Sequence, residues 1–398
     1  MSISQRAQLI SPSITLEITA KAKKMKAEGI SVIGFGAGEP DFNTPDFIIE
    51  SAKKALDIGF TKYTPASGTP ELKKAICNKF LRDNGLSYTP DQIVISSGAK
   101  SSLYHTMEAL VDCGEEVIIP SPYWLTYPEL VKLADGKCVF FQCKKENGYK
   151  ITAEELENAI TDKTKCLILN SPCNPTGAVY SEKEIRALAK VCEEKGIYVI
   201  SDEIYEKLIY DGNEHFSIAK CSDYMKEHTI IVNGMSKTYS MTGWRIGYIA
   251  APVKLAKAIS SIQSHTTSNA NSIAQYASVA ALEDKQGEEF IAKMQGVFDE
   301  RRKYMIETLN SIKEVSIAVP EGAFYVFVDV SSLYGKSYNG QEIKGSLTFA
   351  DLALQKGVAL IPGVAFGDDN CIRLSYAISI EDIKEGLNRL IEFIKEVK

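Results

Sequence analysis

The sequence predicts an α/β protein: a large domain with a mostly parallel sheet flanked by helices, followed by a smaller α+β domain. Three observations carry this. From about residue 44 to residue 283, short apolar and β-branched runs alternate with helical patterns, the rhythm of strand–helix–strand units. A long helical stretch at 288–312 then breaks the rhythm. Beyond it, runs at 323–330, 358–361 and 372–375 alternate with helices at 347–356 and 380–397, a mixture of different character. No internal repeat, low-complexity tract or linker rich in Pro, Gly or Ser interrupts the chain.

Taken in order, the first clear strand covers 93–95 and ends at Ser96, Ser97 and Gly98. A helix follows, with Leu103, Met107, Leu110 and Val111 on one face. This leaves the backbone N–H groups of Gly98, Ala99 and Lys100 at a helix N-terminus, where the dipole favours an anion, although such a turn is also ordinary topology. Strands at 117–119 and 138–141 come next. Residues 165–180 (KCLILNSPCNPTGAVY) read as a buried strand at 167–169 and a polar turn with two prolines and Asn174. An asparagine there is most often a turn former. A helix at 182–195 leads to 198–205 (YVISDEIY), a short apolar strand ending in Asp202, Glu203 and Tyr205. Carboxylates at that end of a parallel strand stand where open α/β sheets bind ligands. Taken singly, Asp202 reads as a cap.

The strand at 230–232 opens the most informative stretch, residues 232–248 (VNGMSKTYSMTGWRIGY). Lys237 follows Ser236 between two strand-like runs, and Arg245 stands eight positions on in the second apolar run. An amine that bonds covalently to an aldehyde must be neutral, and lysine becomes neutral near physiological pH only when desolvated or placed beside other cations. The Ser236 hydroxyl and the Arg245 guanidinium suit a phosphate dianion. Alone, Lys237 reads as a solvated loop lysine. With the anion site at Gly98 and a carboxylate able to keep a pyridine nitrogen protonated at Asp202, the candidate ligand is pyridoxal 5'-phosphate.

These segments match, in order and content, a known pattern. The chain resembles the fold-type I pyridoxal-phosphate aminotransferases of class I, the aspartate aminotransferase family in its bacterial branch. The resemblance covers nearly the whole chain, from Pro12, Ser13, Ile14 and Thr15 and GAGEPDF at 36–42, through Lys62 to Pro65 and Gly68, to IRLSYA at 372–377. SKTYSMTGWRIGY is its most specific part, and GAGEPDF and NPTG are strong in combination. It implies a large cofactor domain at 46–288 and a small domain formed by 1–45 with 289–398.

For the site, the resemblance implies that Lys237 holds the cofactor as a Schiff base and shuttles the proton, the general acid and base work of a tuned amine. Asp202 would pair with the ring nitrogen, Asn174 and Tyr205 would hydrogen-bond the phenolic oxygen, and Trp124 would stack on the ring, although a tryptophan in an apolar run is usually core. Phosphate contacts would come from Gly98, Ala99, Lys100, Ser236 and Arg245, with Tyr63 reaching in from a second subunit, which implies a homodimer with shared sites. Arg373 would clamp the substrate α-carboxylate and Gly38 would offer its backbone to it; an arginine inside an apolar strand needs a partner.

No arginine stands in 264–271 (SHTTSNAN), where one branch of the family binds acidic side chains. Lys100 and the hydroxyls near Thr15 take that part in the bacterial branch, so the resemblance implies transfer from L-aspartate to 2-oxoglutarate. Aromatic amino acids, alanine, methionine or prephenate-type substrates remain open. So does a pyridoxal-phosphate lyase acting on C–S bonds, because the sequence does not fix which Cα bond stands perpendicular to the ring. Lys100 has a second reading, as a phosphate ligand only.

Composition agrees. A net charge of −6 argues against a nucleic-acid surface. The basic run at 21–26 (KAKKMK) reads as one solvated helix face. Nine cysteines without metal-site spacing, the lack of an apolar leader pattern and the lack of a membrane-length apolar run lead us to expect a cytoplasmic protein with free thiols. Four histidines and no HExxH or CxxC pair make a catalytic metal unexpected. The glycines at 34, 36 and 38 lack the third glycine of a dinucleotide turn, and Glu39-Pro40 follows where a helix should open, which discounts a nicotinamide oxidoreductase.

Overall fold

The computed structural model describes residues 3–398. Its main sheet has seven strands: β1 (Ile93–Ser96), β2 (Glu116–Ser121), β3 (Lys137–Gln142), β4 (Thr164–Asn170), β5 (Tyr198–Asp202), β6 (Thr229–Gly234) and β7 (Gly247–Ala250). Their spatial order is β1-β7-β6-β5-β4-β2-β3. All neighbours are parallel except β7, which runs antiparallel to both β1 and β6. The expected parallel sheet is thus a mixed one, with one reversed strand near an edge.

Both faces are covered, as parallel strands require. Val117, Ile119, Ile168 and Ile200 pack on one side with Leu103 and Met107 of the helix Ala99–Leu110. Ile118, Leu167, Leu169 and Val199 face the other way onto Leu188 and Cys192 of the helix Glu182–Lys195. That helix matches its expected span because its ends are strongly coded. Ser181 and Glu184 form a capping box, and Gly196 ends it in the left-handed region. The expected strand at 138–141 is the outer edge, which leaves Phe140 half exposed.

The second sheet is antiparallel and joins β8 (Ser316–Ile317), β9 (Tyr325–Asp329), β10 (Ile361–Pro362) and β11 (Cys371–Ser375) in the order β10-β11-β9-β8. Phe298, Phe349, Leu387 and Phe393, from the helices Gln286–Asn310, Ser346–Gln355 and Ile380–Glu396, share a core with it. The run expected as one strand at 358–361 divides at Leu360. Val358–Ala359 pairs in parallel with the N-terminal strand Ile33–Gly34, while β10 joins the larger antiparallel sheet.

The long helix begins at Gln286 and ends at Asn310, so it lies across the expected boundary at 288. Two arginines tie it to other parts of the chain. Buried Arg302 donates to Asp211 at 2.7 Å and to the Pro320 carbonyl at 2.8 Å. Arg301 holds Asp41 of the N-terminal segment through two bonds of 2.8 and 2.9 Å.

Candidate active site

The C-terminal ends of β4 and β5 deliver Asn170 and Asp202 to one cavity wall, the turn after β6 adds Ser236 and Lys237, and β9 and β11 deliver Tyr325 and Arg373 to the opposite one. The cavity between them measures about 840 Å³.

Lys237 sits on a single helical turn, Met235–Thr238, that follows β6. Its Nζ donates to the Gly38 carbonyl. Loss of hydration lowers its pKa to about 8; Arg245 and Arg373 push in the same direction, while Glu39 and Asp202 oppose them. Arg245 is not in the apolar strand where the sequence suggested it. It ends a short 3₁₀ turn, Thr242–Trp244, at φ +56°, two residues before β7. That bend turns its guanidinium onto Gly98, where a Cβ would come within 2.1 Å of Nη2. Gly98 itself lies at φ +86°, so glycine is required there both by conformation and by space. The helix Ala99–Leu110 starts at this point. Its first bonds run from the N–H groups of Ser101 and Ser102 to the Gly98 carbonyl, so those of Ala99 and Lys100 precede the helical ladder.

Asp202 is only 3% exposed. Its Oδ2 accepts from the Tyr127 hydroxyl at 2.7 Å and its Oδ1 from the Ile204 N–H at 3.3 Å. Desolvation raises its pKa to about 6 against the pull of those two donors. Asn170 secures the next loop by donating to the Asp202 carbonyl at 3.0 Å and accepting from the Asn174 N–H at 2.9 Å. Asn174 Oδ1 in turn accepts from Arg373 Nη1 at 2.9 Å.

Buried Arg373 lies between the rings of Tyr325 and Phe366, 4.3 and 4.9 Å from their centroids. Its Nη2 donates to the Gly36 carbonyl at 3.2 Å, and its buried Nε has no partner among the described residues. The Tyr205 and Tyr325 hydroxyls are 3.0 Å apart. Trp124 meets Tyr127 edge-on, and the Lys100 ammonium stands 5.0 Å from the Trp124 ring centroid.

The sequence pattern of the family described as "Aminotransferase class I and II" matches residues 30–390. The chain belongs to the class I and II aminotransferases. The aspartate aminotransferase of Bacillus sp. (strain YM-2) is 47% identical over 393 residues, 99% of each chain. The aspartate/prephenate aminotransferase of Cereibacter sphaeroides is 46% identical over 387 residues, 96% of each. The crystal structure of the aspartate aminotransferase from Rhizobium meliloti superposes with a TM-score of 0.96 at 42% identity and covers both chains completely.

The donors of this aminotransferase fit pyridoxal 5'-phosphate, the cofactor of the family. Gly98 without a Cβ, the first N–H groups of the following helix and Arg245 make an anion cradle, a lysine of lowered pKa faces the cavity, and a buried carboxylate lies at a strand end. Of the residues singled out in the sequence, Thr15, Gly38, Ala99, Lys100, Trp124, Asn174, Asp202, Tyr205, Ser236, Lys237, Arg245 and Arg373 line the cavity. Gly98 lies behind the Arg245 guanidinium, and Tyr63 is 92% exposed outside the cavity lining.

The reading missed Asn170, Tyr127 and Tyr325. Asn170 was within reach, since it ends a parallel strand as Asp202 does. Tyr127 and Tyr325 stand among apolar residues and carry no local signal of their hydroxyl partners. Glu203, Glu206 and His215 were also not foreseen as a group; their ligand-type atoms lie within 4.8 Å of one another. Their carboxylate oxygens are already engaged, Glu203 by Ser201, Ser217 and His215, and Glu206 by Asn84, Asn233 and Lys79. The carboxylates of this group are thus satisfied within the fold, while the buried Nδ1 of His215 finds no partner among the described residues.

Proposed function

We propose that this aminotransferase transfers the amino group of L-aspartate to 2-oxoglutarate in two half-reactions at one site. The observation that carries the reading is the meeting of Lys237, Asp202 and Arg373 on one cavity, with Asn174 joined to Arg373. Bound pyridoxal 5'-phosphate supplies the electron sink for the substrate's Cα–H bond. The chain's own residues do the rest. The backbone N–H groups of Gly98, Ala99 and Lys100, with Ser236 and Arg245, hold the phosphate, Trp124 stacks on the ring, and Asn174 and Tyr205 hydrogen-bond its phenolic oxygen. Asp202 keeps the ring nitrogen protonated by facing it with a buried negative charge.

Arg373 and the Gly38 backbone hold the substrate α-carboxylate and so orient Cα. The Lys237 amine, whose lowered pKa makes it a competent base near neutral pH, takes the Cα proton and returns it. Thr15, whose buried hydroxyl has no partner among the described residues, and Lys100 receive the side-chain carboxylate of an acidic substrate.

Three further expectations belong to the same reading. Residues 46–288 act as the cofactor domain, and 1–45 with 289–398 as the smaller one. The active form is a homodimer in which Tyr63 reaches the partner's site; an almost fully exposed phenol supports this. The protein works in the cytoplasm, for which nine free cysteines speak. Among the described residues, no helix is long and apolar enough to cross a membrane.

A second substrate reading, prephenate-type oxo acids, has the 46% identical aspartate/prephenate relative in its favour. A half-reaction panel with L-aspartate, glutamate, alanine, methionine and tyrosine tests the choice. Fast conversion of the cofactor spectrum with aspartate and release of oxaloacetate is expected. Conversion with aromatic or apolar amino acids alone moves the substrate, and release of ammonia or a thiol replaces the aminotransferase with a lyase.

A further inference from the structure

Asp202 receives a donor that the reading above leaves without a role. Tyr127 lies in the helix Thr126–Leu133, is 2% exposed, and points its hydroxyl at Asp202 Oδ2 from 2.7 Å. A carboxylate stripped of water is oriented and stabilised by the hydrogen bonds it keeps. The side chain of Asp202 keeps two: a long one from the Ile204 N–H, and this short one. The phenol has no competing use for its proton, because burial pushes its own ionisation far above the ordinary range. Its ring also buttresses Trp124, with centroids 5.4 Å apart at 84°. One side chain therefore touches both the ring's stacking partner and the carboxylate.

We propose that Tyr127 is a positioning residue for the cofactor ring: its hydroxyl fixes the orientation of the Asp202 carboxylate and keeps its negative charge directed at the ring nitrogen. The inference rests on the proposed pairing of Asp202 with that nitrogen. It names a residue whose effect is transmitted through a carboxylate, without contact to the reacting atoms.

Tyr127→Phe retains the ring against Trp124 and removes only the hydroxyl, so it separates the two contacts. The measurement is the dissociation constant of the full-length chain for pyridoxamine 5'-phosphate, which needs no bond to Lys237, and for the same molecule with C–H in place of the ring nitrogen. Tyr127→Phe should weaken pyridoxamine 5'-phosphate about tenfold, the scale of one hydrogen bond to a charged group, and leave the nitrogen-free analogue unchanged. Equal weakening of both ligands, or of neither, overturns the role of the hydroxyl. Asp202→Asn, measured in parallel, tests the premise separately. If it discriminates between the two ligands as the unaltered chain does, the pairing of Asp202 with the nitrogen is wrong. If Asp202→Asn abolishes the discrimination and Tyr127→Phe leaves it unchanged, only the role of Tyr127 falls.

Discussion

The two sides of the cavity are held with very different firmness. On the main-sheet side, Asp202, Asn174, Ser236 and Gly98 are all buried, and hydrogen bonds lock the aspartate and asparagine through Tyr127 and Asn170. On the other side, the helix Ile14–Ala27 brings Thr15, Ile18 and Thr19 to the cavity but buries only Ala22. Its core is a small cluster with Val32, Leu354 and Ala359, and Leu16 remains 70% exposed. The Lys21–Asp351 ion pair that helps to anchor it is solvent-exposed at both ends and adds little. The contrast separates two demands. The cofactor needs a wall that does not move, whereas the part facing the substrate side chain rests on few contacts, and altering it costs little folding energy.

The largest effect is expected at Arg373, which stands on β11 opposite the main-sheet wall and is bonded to that wall through Asn174. Arg373→Ala removes a buried guanidinium that also holds Asn174, and kcat/KM should fall by an amount equivalent to about 2 to 5 kcal/mol for amino acid and oxo acid substrates alike. Steady-state kinetics in both directions measure this, and retained activity would assign the α-carboxylate to another group.

Next in size is a cost that the firm wall imposes on folding. Lys237 has a pKa near 8 in the folded chain, against an ordinary value of 10.5, so between these values the unfolded chain binds more protons. The penalty is complete below about pH 8 and fades as pH rises toward 10.5. Lys237→Met should therefore stabilise the cofactor-free protein at pH 7 by about 2 kcal/mol, after allowance for the water that reaches the amine, and the gain should shrink above pH 8. Thermal melts at a series of pH values test it; a gain that does not vary with pH would trace the effect to packing.

The smallest effect belongs to Lys100, an exposed residue in the first turn of the helix Ala99–Leu110 at the substrate end of the cavity. Lys100→Ala should leave monocarboxylic amino acids nearly untouched while weakening aspartate and 2-oxoglutarate by about 1 to 2 kcal/mol in kcat/KM. A uniform loss across substrates would return its ammonium to the phosphate.

Much of this site was legible because its chemistry is written in residues that are costly elsewhere. Arg373 inside an apolar strand and Asp202 at a strand end both stand out against local pattern, and Lys237 lies in a highly specific stretch. Sequence could not reveal partnerships closed by the fold. Tyr127 reads as core because its phenol ring is core; only the arrangement of β5 beside the Thr126–Leu133 helix turns its hydroxyl into a donor. The bend at Arg245 was likewise hidden, since a left-handed arginine looks like any other residue in an apolar run. The division at Leu360 was hidden because both short strands beside it are equally buried.

The reversed strand β7 has a consequence for how the protein acquires its cofactor. Among the described residues it alone joins β1 to the rest of the sheet, and the pairing of Ser96 with Gly247 brings Gly98 against Arg245. The two halves of the anion cradle come from distant parts of the chain and exist as a unit only after this strand has docked. A chain in which this strand has not docked offers the phosphate a helix N-terminus without its guanidinium. Cofactor binding therefore selects chains that have completed assembly and draws the population toward them by mass action. A cell short of the vitamin from which the cofactor is made would hold fewer finished molecules as well as fewer active ones.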